Sequence, residues 1–95
     1  MNKYELTIIV NPNLGEEALK AELEQVQALI ERFEGTVEKV DDWGKRRLAY
    51  EINKVKEGFY RFTTFTSGPN APAEIESRIR IRENIIRYLI IRQDA

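Results

Sequence analysis

This chain contains no histidine and no cysteine. That removes the imidazole base, the thiolate nucleophile, the Cys/His zinc site and the disulfide framework together. What remains is carboxylates, hydroxyls and cations. The carboxylates do not form an acid–base pair. Asp41 and Asp42 are adjacent, so in a strand they point to opposite faces and cannot share a proton. Ser67 and Ser77 have no base beside them in a recognisable pattern. Gly15, Gly35, Gly44, Gly58 and Gly68 are isolated and build no phosphate-cradling loop.

The cations are grouped. Lys45-Arg46-Arg47 is followed by Lys54, Lys56 and Arg61, with Trp43, Tyr50, Phe59 and Tyr60 interleaved. Basic side chains at the end of a hairpin can touch several phosphates at once, and released counterions then supply affinity. Equally, charge along a hairpin edge resists unwanted strand pairing. The residues alone leave both readings open. A second group holds Arg78, Arg80, Arg82, Arg87 and Arg92. Glu74 precedes Arg78 by four, the favourable order for an ion pair on a helix. That makes Arg78 a structural residue and leaves Arg87 and Arg92 as the contact candidates, with Lys3 on the first strand beside them. Gly58-Phe59-Tyr60-Arg61-Phe62 invites comparison with the RNP1 signature of RNA-recognition motifs. Tyr60 stands where that signature has a small residue, and Arg61 where it has a stacking aromatic.

These residues need elements to hold them. Tyr4, Leu6, Ile8 and Val10 alternate with Lys3, Glu5 and Thr7, which is a half-buried strand. Asn11-Pro12-Asn13 ends it. Leu19, Leu23, Val26, Ile30 and Phe33 recur at steps of four and three, the stripe of a helix from about Glu16 to Glu34. Gly35 reads as its C′ residue. Thr36 to Ile52 is a long interrupted strand: Val37 and Val40 are out of phase, which implies a bulge, and Gly44 allows a bend. Asn53 to Glu57 is a polar turn, and Gly58 to Thr66 a third strand. Pro72 opens a second helix carrying Ile75 and Ile79, and Ile85 to Arg92 is the last strand. The order β-α-β-β-α-β, with short right-handed connections, predicts a single α+β domain over residues 1–95. Its form is ferredoxin-like: a four-stranded antiparallel sheet with both helices on one face.

The opposite face then meets water or a partner. Tyr4, Leu6, Ile8 and Val10 are assigned to the helix side, with Leu48, Tyr50, Ile52, Tyr60, Phe62, Ile86, Tyr88 and Ile90. The open face is left with Ile9, Phe59, Phe65, Leu89 and Ile91 among Lys3, Glu5, Arg47, Glu51, Arg61 and Arg87. So much apolar surface studded with arginine fits a protein or RNA partner. Ile9, Phe59, Arg61, Phe65, Leu89 and Ile91 form the candidate protein-partner face.

Composition narrows the class. The chain has 95 residues, is 33% charged and has a formal net charge of −1. Met1–Gly44 carries four Lys/Arg against ten Asp/Glu, and Lys45–Ala95 eleven against six. One small domain thus has an acidic half and a basic half, suited to facing a polyanion with one side. The acidic face of the first helix (Glu16, Glu17, Glu22, Glu24, Glu31, Glu34) reads as solvated. No apolar run approaches membrane-spanning length, and the N-terminal residues show no signal-peptide stretch, so a cytoplasmic protein is expected. No enzyme activity, metal, cofactor or small-molecule substrate is expected.

The chain resembles the bacterial small-subunit ribosomal protein six family. The resemblance rests on Tyr4-Glu5, Asn11-Pro12-Asn13, Gly44-Lys45-Arg46-Arg47-Leu48-Ala49-Tyr50 with Ile52 and Lys54, Gly58-Phe59-Tyr60, and Arg80-Ile81-Arg82-Glu83-Asn84-Ile85-Ile86-Arg87. It runs across the whole chain. Glu51 stands where the family often has Pro, and the long acidic tail of some members does not follow Ala95. The resemblance implies a non-enzymatic, ferredoxin-like ribosomal protein. Such a protein binds the central domain of small-subunit ribosomal RNA cooperatively with small-subunit ribosomal protein eighteen, and Arg46, Arg47 and Lys54 are among its functional residues. With the basic candidates above, the expected RNA-binding set is Lys3, Lys45, Arg46, Arg47, Lys54, Lys56, Arg87 and Arg92. A competing reading keeps only the open sheet face, as a protein-interaction module with no RNA contact. The two differ in salt dependence: phosphate contacts weaken steeply as salt rises, apolar association barely.

Overall fold

In the computed structural model residues 1–52 and 55–93 are described, with side chains for 1–48 and 56–93. The elements follow the order β1 (Asn2–Val10), α1 (Glu16–Arg32), β2 (Thr36–Ile52), β3 (Val55–Ser67), α2 (Ala71–Ile79) and β4 (Ile85–Arg92). The sheet has the order β2-β3-β1-β4, and every pairing is antiparallel. This is the ferredoxin-like arrangement that the element order predicts.

The apolar stripe of α1 lies on the sheet: Leu23, Val26 and Ile30 are buried, with Leu19 and Phe33 packed at its margins. Glu16 and Glu17 occupy the first turn, where the helix dipole favours anions. At the other end the structure departs from expectation. Gly35 N–H donates to Ile30 O (2.8 Å) and Glu34 N–H to Glu31 O (3.0 Å). That is a Schellman closure with Glu34, not Gly35, as the left-handed C′ residue at φ 64°. Gly35 is needed for space: a Cβ there would lie 2.7 Å from Ile30 Cγ2 and 2.8 Å from Ile30 O. In α2 Pro72 lies in the first turn, and Ile75 and Ile79 are fully buried.

Tyr4, Leu6, Ile8 and Val10 carry the sheet side of the core. The predicted irregularities of β2 are present, with the register shifting between Val37 and Lys39 and between Asp42 and Gly44. Gly44, at φ 72°, supplies the backbone conformation that the second shift needs.

The phase of β3 corrects the assigned faces. Directly opposed residues share a face, and Tyr4 pairs with Phe65, Ile8 with Arg61 and Val10 with Phe59. Phe59, Arg61 and Phe65 therefore face the helices, and Tyr60 and Phe62 face outward. Phe65 has no exposed surface and stacks on Tyr4 with centroids 5.6 Å apart. Aromatics occupy both parities of this strand, so alternation alone carries no phase, and the register with β1 decides it. β3 also starts at Val55, before the expected Gly58.

Two further assignments change. A Cβ on Gly58 would collide with Ile9 Cγ2 and lie 3.6 Å from Leu48 Cδ2 and 3.7 Å from Ile86 Cδ1. Leu48 and Ile86 thus gather around Ile9 on the open side rather than under the helices. The cause in β4 is a register shift between Ile9 and Val10, which puts Ile85 into the core in place of Ile86. The side chains of Tyr50 and Ile52, and the start of the turn at Asn53, lie outside what the structure describes.

Candidate nucleic-acid interface

β2 and β3 run together to one end of the sheet, and most of the basic candidates collect there. Lys45 pairs in register with Phe59, Arg46 with Gly58 and Arg47 with Glu57. Lys45, Arg46, Arg47 and Lys56 are all exposed. Lys54 lies outside the described residues. Arg87 lies at the same end but on the opposite edge strand: Gly44, Tyr60, Ile9 and Arg87 form one row across four strands, three strand spacings or about 14 Å wide. It too is exposed.

Lys3 and Arg92 do not join this group. Lys3 pairs with Thr66 and Arg92 with Tyr4, at the opposite end of the sheet. Five strand residues, about 17 Å, separate Arg92 from Arg87. Lys3 Nζ lies 3.6 Å from Glu38 Oε1, and Arg92 Nη2 donates to Asn2 Oδ1 (3.1 Å).

Arg61 lies on the helix side and not on the open face expected for it. Its Nε and Nη2 donate to Asp42 Oδ1 and Oδ2 at 2.6 and 2.9 Å, a bidentate clamp between β2 and β3 on the helix side. Arg78 also departs from expectation. Among the described residues it makes no ion pair with Glu74, and its guanidinium lies 5.6 Å from the Phe33 centroid, as does that of Arg32.

Glu22 and Arg82 are the pair that the sequence reading missed. Glu22, assigned to the solvated acidic face of α1, is buried. Arg82 Nε and Nη2 both donate to its carboxylate, and Asn84 Nδ2 donates at 3.4 Å. Hydrogen bonding from Arg82 outweighs burial and holds the Glu22 carboxyl below its ordinary value. Sixty residues separate the partners, too far for any local spacing rule. The remaining acidic residues of that face, Glu16, Glu17, Glu24, Glu31 and Glu34, are exposed, on the side of the sheet away from Tyr60 and Phe62.

The open face keeps Ile9, Leu89 and Ile91 from its expected list and exchanges Phe59, Arg61 and Phe65 for Tyr60, Phe62 and Leu48. Leu89 is 53% exposed and Ile91 47%. Trp43 is half exposed and packs on Phe62 with centroids 4.6 Å apart, and Phe62 in turn neighbours Tyr60 at 6.4 Å. Tyr60 and Phe62 are thus half-buried on the face opposite to the expected one, and the outer face carries a contiguous aromatic cluster. Among the described residues no group of three or more acidic side chains converges as a metal site, and no helix is long and apolar enough to cross a membrane.

Comparison with known proteins is consistent from end to end. Residues 3–92 match the family model described as Ribosomal protein S6. The chain is 48% identical over 95 residues to the small ribosomal subunit protein bS6 of Clostridium beijerinckii, covering all of both chains. It is 46% identical over 94 residues to that of Clostridium perfringens, covering 99% of each. The crystal structure of 30S ribosomal protein S6 from Thermotoga maritima superposes with a TM-score of 0.93 at 34% identity, over 97% of this chain and 87% of that one. The C-terminal domain of the MgtC protein from Mycobacterium tuberculosis superposes over 98% of this chain and 88% of its own with a TM-score of 0.64 at 6% identity, a likeness of fold alone. With sequence and backbone in agreement along nearly the whole length, the chain belongs to the Ribosomal protein S6 family.

Proposed function

We propose that this protein is a structural component of the small ribosomal subunit, acting in the cytoplasm and catalysing no reaction. It binds the central domain, or platform, of small-subunit ribosomal RNA cooperatively with small-subunit ribosomal protein eighteen. The observation that carries this reading is the gathering of Lys45, Arg46, Arg47, Lys56 and Arg87 at one end of the sheet in a member of this family. Multiple cations spread along one end of the sheet suit a phosphate backbone, where each neutralised phosphate releases counterion. Lys54 joins the set by its place in the sequence. Lys3 and Arg92, at the far end, form a separate and lesser contact.

The formal net charge of −1 supports a shared binding mode. The exposed carboxylates of α1 oppose a polyanion, so the basic end alone gives modest affinity, and a second protein supplies the rest. Ile9, Leu89 and Ile91 provide an apolar surface to seat that protein. The test is a binding series with a central-domain RNA fragment at increasing salt, with and without ribosomal protein eighteen. Tight, salt-sensitive binding only with the partner is expected. Absence of RNA binding in both cases overturns the reading and leaves a protein-interaction module.

A further inference from the structure

Beside the exposed tryptophan the open face is hollowed. A cleft of about 250 Å³ is lined by Glu5, Lys39, Asp41, Trp43, Phe62 and Thr64. The pairing explains its shape. Lys39, Thr64 and Glu5 form one row across β2, β3 and β1, and Asp41 pairs with Phe62 in the next outward-facing row. Thr64 and Phe62 thus lie on the middle strand, flanked by side chains from both neighbours. The register shift between Asp42 and Gly44 brings Trp43 against Phe62. Trp43 Nε1 donates to Asp41 Oδ2 at 3.1 Å, which fixes the indole in place. One carboxylate therefore orients the ring, and the other, Glu5, stands across the cleft on β1.

An aromatic plane, a carboxylate across from it and a nearby ammonium form a definite recognition set. Stacking on an indole is open to any nucleobase. A carboxylate is selective, because it only accepts hydrogen bonds. Guanine alone among the common bases offers two adjacent donors, N1–H and N2–H₂, on its Watson–Crick edge, and these match the two oxygens of one carboxylate. Adenine, cytosine and uracil each set an acceptor beside a single donor there. We propose that this cleft binds one unpaired guanine base of an RNA strand, stacked on Trp43, with Glu5 accepting from N1–H and N2–H₂ and Lys39 beside the strand's backbone.

The site is separate from the basic hairpin end. It does not depend on the ribosomal reading, and either can fail without the other. Trp43 is the only tryptophan in the chain, so its fluorescence reports the cleft directly. The experiment titrates the full-length protein with guanosine, adenosine, cytidine and uridine, following indole quenching. Saturable quenching by guanosine is expected, with a dissociation constant roughly tenfold below those of the other three, the discrimination that one bidentate pair supplies. Glu5→Gln, which sets an amide donor against the guanine donors, is expected to abolish that preference while stacking persists. Its circular dichroism and melting are recorded alongside to confirm an intact fold. Equal, unsaturable quenching by all four nucleosides overturns the proposal, as does a guanosine preference that survives in Glu5→Gln.

Discussion

Replacing Arg82 by Met would strand the Glu22 carboxylate. The Glu22 side chain is 6% exposed and that of Arg82 29%, so the pair lies between a surface bridge and a fully buried one. Breaking a buried pair by removing one partner costs about 3–5 kcal/mol, and an exposed pair is worth about 0–1 kcal/mol. Without Arg82 the carboxylate keeps the 3.4 Å contact from Asn84, too long to compensate for burial. Arg82→Met should therefore cost about 2–3 kcal/mol near neutral pH, a fall in Tm of roughly 10–20 °C for a domain this size.

The pH dependence carries a sign. In the wild type the Glu22 carboxyl is held below its ordinary value of 4.5. Its contribution is thus fully present above that value and is lost as pH falls through the depressed one. In the variant only burial remains to act strongly on the carboxyl, which pushes the group upward. Its protonation then relieves the variant as the solution becomes acid. Urea denaturation followed by circular dichroism should show a large gap between the two proteins at neutral pH and a much smaller one below the ordinary carboxylate value. The double variant Glu22→Leu/Arg82→Met should recover part of the loss. A gap below about 0.5 kcal/mol at neutral pH, or one that does not change with pH, would refute the reasoning.

Other substitutions test other parts of the structure. Phe65→Ala should cost about 3–5 kcal/mol because the ring is wholly buried against Tyr4, whereas Leu89→Ala should stay within about 0.5 kcal/mol; denaturant midpoints that put the two together would restore the opposite phase for β3. Glu34→Gly should stabilise the protein by about 0.5–1 kcal/mol, since Glu34 holds a left-handed conformation at φ 64° that glycine adopts without strain. A lower thermal midpoint in that variant would contradict the assigned helix closure.

Much of the fold was legible because single residues reported single faces. β1 alternates cleanly, and α1 repeats its apolar stripe at helical spacing. The out-of-phase Val37 and Val40 and the lone Gly44 marked two of the register shifts of β2. β3 was not legible in this way, because Phe59, Tyr60, Phe62 and Phe65 occupy both parities and only the register with β1 separates them. In β4 the shift opposite Ile9 and Val10 exchanged Ile85 with Ile86, and nothing in a run of β-branched residues announces such a shift. Among the candidate site residues, the grouping of Lys45, Arg46 and Arg47 was visible as a run, and the placement of Arg87 at the same end on the opposite edge strand needed the sheet order. The distance of Lys3 and Arg92 from that group needed the register, as did the cleft beside Trp43.

The proposed function requires that the basic end of the β2–β3 hairpin contact RNA phosphates. Its most direct test compares the wild type with Arg46→Ala/Arg47→Ala. Both would be assayed for binding to the central-domain RNA fragment in the presence of ribosomal protein eighteen, over a salt series. Weaker binding is expected at every salt concentration, with a log–log slope shallower by about one for each phosphate contact removed and an unchanged melting temperature. An unchanged slope and affinity in the double variant would contradict it.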